Sequence, residues 1–449
     1  MTRRDLKDFP RATSAVRFGT AACFALVLTG CGWGEEDSSL ASMQSFQPAG
    51  ADAALVPATP GVTAETSVVI SDLKLRRSVL PSGGAYQQVG QSVLAASRGK
   101  AEAELRVARL TAEARSKNWL PQLTPSISLS SLGDLVTSLV VEQVLFDNGK
   151  KKAERAFAAA DVEVAAVNYA AEMNDRVSDG LEHYIAAKRA IEQGAAARDA
   201  TVRMKEYNRI MLERVKGGLS DMSEARVISQ KYAEMEATAR SDDDSRTTAL
   251  AQLNAMADRD LSTVTGVDQL FVQTLEAKPL TVVMAEAERG RSLAEAKIMR
   301  AGYLPGISAV GEVGSGASEF GLSATVGNAL GFGTGDALAA IEATKASADA
   351  AVSEAQQDAQ ITRVTMERKL EAARAKYVRD AEVIRQTGEG LDLFVEQYKV
   401  GRRTLLELVN MYESYAAMER AQIALKYDIA LLEISIAGEL GLLADGTNI

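Results

Sequence analysis

The sequence predicts a mainly α fold with a small β part, built as two copies of one unit. Three observations carry this expectation. Lys150 to Gly217 and Ala337 to Tyr398 run without a proline, in helical periodicity. Aromatic residues make up only 5% of the 449 residues while Ala, Glu, Arg and Lys recur throughout, the composition of long packed helices. Landmarks also repeat at a fixed distance. Tyr303-Leu304-Pro305 stands 184 residues after Trp119-Leu120-Pro121, Gly333 stands 184 after Gly149, and Gly401 stands 183 after Gly218. A drift of one residue across a whole half is the mark of an internal duplication.

Residues 1–30 read as an export signal. Arg3, Arg4, Lys7, Arg11 and Arg17 give a basic start, and Phe18 to Thr29 is an apolar core too short to span a bilayer. It ends in Leu28-Thr29-Gly30-Cys31, which resembles a bacterial lipobox and implies cleavage before Cys31 and lipidation there. An ordinary signal peptide with a chance cysteine is the alternative. Cys23 would leave with the signal, so the mature chain has no internal disulfide. Each buried methylene of an acyl chain contributes about 0.8 kcal/mol, so several chains anchor firmly. Gly32, rather than Asp, follows the cysteine, which implies sorting to the outer membrane. Residues 31–84, rich in Ser, Ala, Gly and Pro, read as a lipid-anchored N-terminal arm.

The first repeat is assigned to 85–264. A helical pattern from Ala85 to Asn118 stops at Pro121. Leu123, Ile127 and Leu129 then alternate with Ser126, Ser128 and Ser130, and Ser138 to Phe146 reads as a second strand before the turn Asp147-Asn148-Gly149. The long helix from Lys150 follows, extending roughly 100 Å at 1.5 Å per residue. It reverses at "KGG", Lys216 to Gly218, into a returning helix.

The second repeat, 265–449, has the same order. Strands are expected from Tyr303 and around Phe320 to Val326, then a long helix, a turn at "KVG" (Lys399 to Gly401) and a returning helix. Leu370, Ala373, Tyr377, Ile384, Leu391, Phe394 and Tyr398 fall at coiled-coil spacings. So do Leu405, Leu408, Tyr412 and Tyr415, and later Leu425, Ile429, Leu432 and Ile436. These stripes are read as packing seams.

The strands bear on function. No run of 18 apolar residues lies outside the signal, so a membrane crossing would have to be made by strands. Segments of seven to nine residues reach that length marginally, at about 9–11 residues per tilted strand. An open hairpin in lipid leaves backbone groups unpaired, so only closed barrels serve, and these begin at about eight strands. Four strands per chain therefore predict an oligomer if they span.

The duplicated order, the "LPQL…LFDNGKKKA" passage and the closing "YKVGRRTLLELVNMYESYAAMERAQIALKYDIALLEISIAGELG" resemble the outer-membrane efflux protein (TolC-like) family, over residues 85 to 443. The lipobox and arm resemble its lipidated branch. The resemblance implies a homotrimer with a shared β-barrel in outer-membrane lipid and a coiled-coil α-helical barrel in the periplasm. It also implies docking to a periplasmic adaptor (membrane fusion) protein and an inner-membrane transporter. The function so implied is a passive exit duct for multidrug efflux or type I secretion. A periplasmic coiled-coil scaffold lipoprotein without a pore is the alternative.

The resemblance further makes the two turns, with Gly217, Gly218 and Gly401, the periplasmic tips. Tyr398 and Arg403 fall where the family ties its closed tip, and Glu224 where that tyrosine's acidic partner sits; together they would form a hydrogen-bonded latch. Glu407 falls on the first acidic position of the narrow entrance. The second is Asn410 here, which halves the implied ring charge.

Other chemistry finds little support. A net charge of −10 without a basic stripe argues against a nucleic-acid partner. One His and two Cys leave little for a metal site or a cysteine nucleophile. His183 lies mid-helix and reads as a seam or solvated residue. The "GFGTG" at 331–335 lacks the spacing and the Lys-Ser/Thr of a phosphate loop and reads as a turn into a helix. The "SDDDS" at 241–245 reads as a solvated charge run. No enzyme and no cofactor is expected.

Overall fold

Ser67 caps the first helix, its hydroxyl accepting from the Ile70 N–H at 3.3 Å. The computed structural model describes residues 67–97, 99–129, 135–272, 276–314 and 318–449. The chain divides into Met1–Thr59 and Pro60–Ile449. The first unit, with the expected signal and Cys31, lies outside the described residues.

Helix α1, Val68–Leu75, belongs to the stretch expected as a loose arm, yet Ile70 and Leu73 are buried. They sit three apart on one helical face and fill a gap beside Leu105, Val162, Val167 and Ile449. The chain end returns to the same place. The Gly446 N–H donates to the Arg76 carbonyl at 3.1 Å. The buried Arg76 guanidinium donates to the carbonyls of Leu440 at 2.7 Å and Lys278 at 2.8 Å.

The helix expected over 85–118 is two: α2, Ala85–Ala95, and α3, Lys100–Ser116, with Gly99 extended as the N-cap of the second. The break has a packing cause. Tyr86, Val89 and Val93 of α2 join one core with Val177, Leu181 and Tyr184. Ala101, Leu105 and Ala108 of α3 join another with Val162 and Val167.

Strands β1, Gln122–Leu129, and β2, Leu135–Phe146, lead into α4, Lys150–Lys216. Helix α5, Met222–Ala257, returns, and α6, Leu280–Gly302, starts the second half. Strands β3, Pro305–Gly314, and β4, Ser318–Val326, are followed by α7, Thr334–Lys399, and α8, Leu405–Glu439. The "GFGTG" segment is the turn into α7, where the Gly331 N–H donates to the Thr334 hydroxyl at 2.9 Å. The two strand pairs join into one antiparallel sheet in the order β1-β2-β3-β4. The strands are 8, 12, 10 and 9 residues long, β2 beginning three residues before the expected Ser138.

Helix α4 is the axis of the chain. Its 67 residues are buried at intervals from Ala153 to Met211, because α3, α5, α6 and α8 all pack along it. Helix α7 is almost as long, at 66 residues, but only Ala359, Leu370 and Leu391 are buried. It packs on α6 and α8 and leaves its remaining length, with Ile361, Val364, Val378, Val383 and Leu393, exposed.

Two expectations about the helices change. In the second half of α8, Ile436 is buried as expected but Leu425, Ile429 and Leu432 are only half-buried, while Tyr427, Ala430, Ile434 and Ala437 face the core. Ile429, Leu431 and Leu432 pack at the margin of that core rather than in it. The acidic run at 241–245 is not wholly solvated either: Asp242 is 4% exposed. Ile228, Met235, Asp242 and Ala249 follow one another at seven-residue spacing along α5. Asp242 thus occupies a seam position, where both its oxygens accept from the Arg420 guanidinium of α8.

Candidate functional site

Two regions carry the candidate function: the paired turns at one end of the long helices and the sheet at the other. Both turns are built alike. Gly218 has φ +72° and Gly401 φ +77°, a conformation only glycine adopts at low cost. Gly217, with φ −83°, is simply the residue that ends α4. In the first turn the Gly218 N–H donates to the Val215 carbonyl at 3.0 Å and the Leu219 N–H to that of Arg214 at 2.8 Å. In the second, Gly401 donates to Tyr398 and Arg402 to Gln397, both at 2.9 Å. This bond pair closes a helix C-terminus on a left-handed residue. A polar cap follows three residues after each glycine: Asp221 accepts from Ser223 N–H at 3.2 Å, and Thr404 from Glu407 N–H at 3.2 Å. The duplication read in sequence is therefore repeated in the backbone bonds of the two turns, while their caps differ by one position.

The hairpin ends are held together by one apolar cluster. Met204 and Met211 of α4, Ile228 of α5, Leu391 of α7 and Leu405, Leu408 and Tyr412 of α8 are buried in it, with Tyr398 packed at its edge. Tyr207 and Tyr412 meet edge to face, with centroids 5.7 Å apart. Burial pushes the Tyr412 hydroxyl up to about 12.

The expected latch does not close within one chain. Glu224 sits in the first turn of α5 without a hydrogen bond to Tyr398 or Arg403. Arg403 instead stacks on Phe394, 4.7 Å from the ring centroid, and donates to Gln397 Oε1 at 3.1 Å and Glu407 Oε1 at 3.2 Å. The reason is local. Glu407 is one turn along α8 from Arg403, so this pairing needs no reach across the hairpins. Glu407 Oε2 also accepts from the Thr404 N–H at 2.9 Å, completing a capping box. Thr404-Leu405-Leu406-Glu407 carries that signature in sequence. Asn410 is exposed on α8, three residues beyond Glu407.

The Thr404 N–H, its hydroxyl and Arg403 hold the Glu407 carboxyl below its ordinary value of 4.5. A depressed folded-state value stabilises the cap above the unfolded value and loses that stabilisation as pH falls through the folded one. The melting-temperature difference between the wild type and Glu407→Gln is therefore expected to be present at neutral pH and to shrink as pH is lowered from about 4.5. Melting curves from pH 7 to pH 3 measure it.

The sheet has two different faces, and the strand register sorts them, because directly opposed residues share a face. One face takes Leu123, Pro125 and Ile127 from β1, and Leu139, Val141 and Gln143 from β2. It continues with Ile307, Ala309, Gly311 and Val313 of β3, and Phe320, Leu322, Ala324 and Val326 of β4. That face has no charged residue. A Cβ on Gly311 would fall 2.5 Å from the Phe320 ring, so the glycine makes room for that ring. The opposite face is mixed: it carries Gln122, Thr124, Ser126, Ser138, Glu142, Ser308, Glu312, Glu319, Ser323 and Thr325 together with Val140, Val144 and Val310. Glu312 lies directly opposite Glu319, a like-charge pairing tolerable only in water.

The apolar face is not covered by the rest of the chain: Leu123, Ile127, Phe320 and Leu322 are 65%, 72%, 82% and 75% exposed. Among the described residues strands β1 and β4 each pair on one side only, so both edges of the sheet are open there. No helix among the described residues is long and apolar enough to cross a membrane.

Among the described residues no group of His, Cys, Asp and Glu could hold a metal ion. His183 is half-buried in α4. The Glu407 cap and the seam position of Asp242 are features that spacing alone reveals, in T-x-x-E and in the heptad. The stacking of Arg403 on Phe394 had no such signal.

No family model and no curated protein matches the sequence. Solved structures do match. A membrane protein from Pseudomonas aeruginosa superposes with a TM-score of 0.71 at 16% identity, over 85% of this chain and 94% of that one. The outer membrane protein VceC of Vibrio cholerae gives 0.67 at 16% identity, over 79% and 96%. The MtrE outer membrane channel of Neisseria gonorrhoeae, in an open state, gives 0.66 at 19% identity, over 81% and 90%. The chain shares the overall fold of these proteins.

Proposed function

We propose that the chain is one subunit of an outer-membrane exit duct, a homotrimer whose copies close one β-barrel in lipid and continue as a helical tube into the periplasm. The observation that carries this reading is the sheet, uncharged and exposed on one face, carboxylate-bearing on the other, and open at both edges. Open edges in lipid leave amides and carbonyls unsatisfied at several kcal/mol each. Copies joined β4 to β1 remove both edges at once, and the antiparallel order allows it. Three copies give twelve strands, above the eight-strand minimum. The exposed length of α7 supports the same assembly, since a neighbouring copy would cover it.

The duct is passive, and an inner-membrane transporter drives it through a periplasmic adaptor. The two alike turns of each chain support the adaptor contact, six tips in a trimer offering a ring of repeated surfaces. Cys31 is the proposed lipid anchor, on its lipobox sequence.

Glu407, Asn410, Tyr398 and Arg403 form the proposed gate, with Glu224 facing a neighbouring copy. Arg403 neutralises Glu407 within each chain. Purified trimers in planar bilayers are therefore expected to give discrete channels, and Arg403→Ser to raise both their conductance and their cation preference. No current from the wild type would favour the pore-less scaffold. Unchanged conductance of Arg403→Ser would remove the gate alone.

A further inference from the structure

The base of the sheet carries one chemical order three times. Arg115 and Lys117 close α3, the exposed pair Trp119 and Leu120 follows, and then β1 begins. β2 ends on the exposed pair Leu145 and Phe146, and after a three-residue turn α4 opens on Lys150, Lys151 and Lys152. Lys297 and Arg300 lie in the last turns of α6, and Tyr303 with the exposed Leu304 leads into β3. Each time a pair of large apolar or aromatic residues lies at the end of a strand, on the side of a basic helix turn.

These cations are not consumed by the chain itself. Lys117 pairs with Glu113 at 3.4 Å. Arg115, Lys150, Lys151, Lys152, Lys297 and Arg300 have no ion-pair partner among the described residues, and each is at least partly exposed. The nearby acids are engaged elsewhere. Asp147 accepts from the backbone N–H groups of Gly149 at 3.0 Å and Lys151 at 2.5 Å, and Glu154 accepts from the Asn118 amide at 2.9 Å. Three lysines opening α4 also sit against the positive end of its dipole. A chain of net charge −10 does not collect bare cations at one level by composition alone.

We propose that these side chains form a cationic collar that binds the phosphate groups of anionic phospholipids, in the leaflet from which the helices project. The inference rests on the outer-membrane reading above. Cation, then aromatic or leucine, then apolar strand is the order of headgroup, interface and hydrocarbon met along the membrane normal. Basic side chains at a membrane surface attract anionic lipid over a Debye length. The collar is interrupted at the start of α7, whose first turn carries Asp336.

Trp119 is the natural probe, since the only other tryptophan is Trp33. The full mature chain with Trp33→Phe is reconstituted in phosphatidylethanolamine vesicles. Brominated phosphatidylglycerol or brominated phosphatidylethanolamine is then added at equal mole fraction. Phosphatidylglycerol is expected to quench Trp119 at least about twofold more strongly at low salt. That excess is expected to vanish in 0.5 M salt and to fall by at least half in the variant Lys150→Gln/Lys151→Gln/Lys152→Gln/Lys297→Gln/Arg300→Gln, which keeps only Arg115 and Lys117 of the collar. The salt test needs no variant. Equal quenching by the two lipids in the wild type overturns the collar and leaves the channel reading intact. A variant with altered conductance but unaltered lipid preference also overturns it, placing the cations in the lumen. Quenching by neither lipid means that Trp119 does not reach a membrane, and the outer-membrane reading falls with it.

Discussion

Arg420→Met is expected to destabilise the folded chain by about 3 kcal/mol, because it strands a buried carboxylate. Asp242 is 4% exposed, and Arg420 of α8 reaches across α4 to bond both its oxygens. The crossing is made beside Gly194, where an added Cβ would fall 3.3 Å from the Asp242 Cβ. The pair thus staples the α4–α5 hairpin to the α7–α8 hairpin partway along their length. The neighbouring bonds run the same way. Arg189 of α4 pairs with Asp428 of α8 at 2.9 Å, and the Gln193 amide donates to the Arg420 carbonyl at 3.1 Å. The double replacement Asp242→Leu with Arg420→Met removes both charges. It is expected to recover most of the loss, since apolar isosteres of buried pairs are often neutral. Urea unfolding of the three proteins measures this. Equal stability of wild type and Arg420→Met would mean that the pair is solvated and holds nothing.

The second large effect concerns the sheet. Leu322→Arg places a guanidinium on the uncharged face and is expected to cost about 2–4 kcal/mol if that position lies near the bilayer midplane. Ser323→Arg, one residue on, points the same group to the carboxylate-bearing face and is expected to cost little. Period-two alternation is the cause: neighbours along a strand face opposite sides. The comparison is made by denaturant unfolding of the vesicle-reconstituted protein. Equal costs at the two positions would mean that the two faces meet the same solvent.

How much of this was legible follows from what each signal encodes. The duplication, the glycine reversals and the four strands are local, written in spacings that survive without knowledge of contacts. Gly218 and Gly401 carry the positive φ that their place after a long helix requires. The union of two strand pairs into one sheet is non-local, depending on β2 meeting β3 across more than 150 residues of chain, and no spacing announces it. The break between α2 and α3 escaped for a related reason, since two segments of similar pattern pack on different parts of α4. Asp242 was misread because a run of acids suggests solvent, although its heptad place among Ile228, Met235 and Ala249 pointed inward. Within one chain the latch does not form. Arg403 has a nearer carboxylate in Glu407, and the capping signature Thr404 to Glu407 already fixed where that carboxylate would be.

Closure of the sheet by neighbouring copies is tested most directly by cysteines on its two open edges. Thr124 or Ser126 of β1 is replaced by Cys in combination with Ser323→Cys or Thr325→Cys of β4, each single replacement serving as the control for cross-links through Cys31. Joined copies predict that at least one combination forms intermolecular disulfides in membranes, giving dimer and trimer bands that collapse to monomer on reduction. Monomer bands in every combination, from protein that is also monomeric in detergent, would contradict a shared barrel.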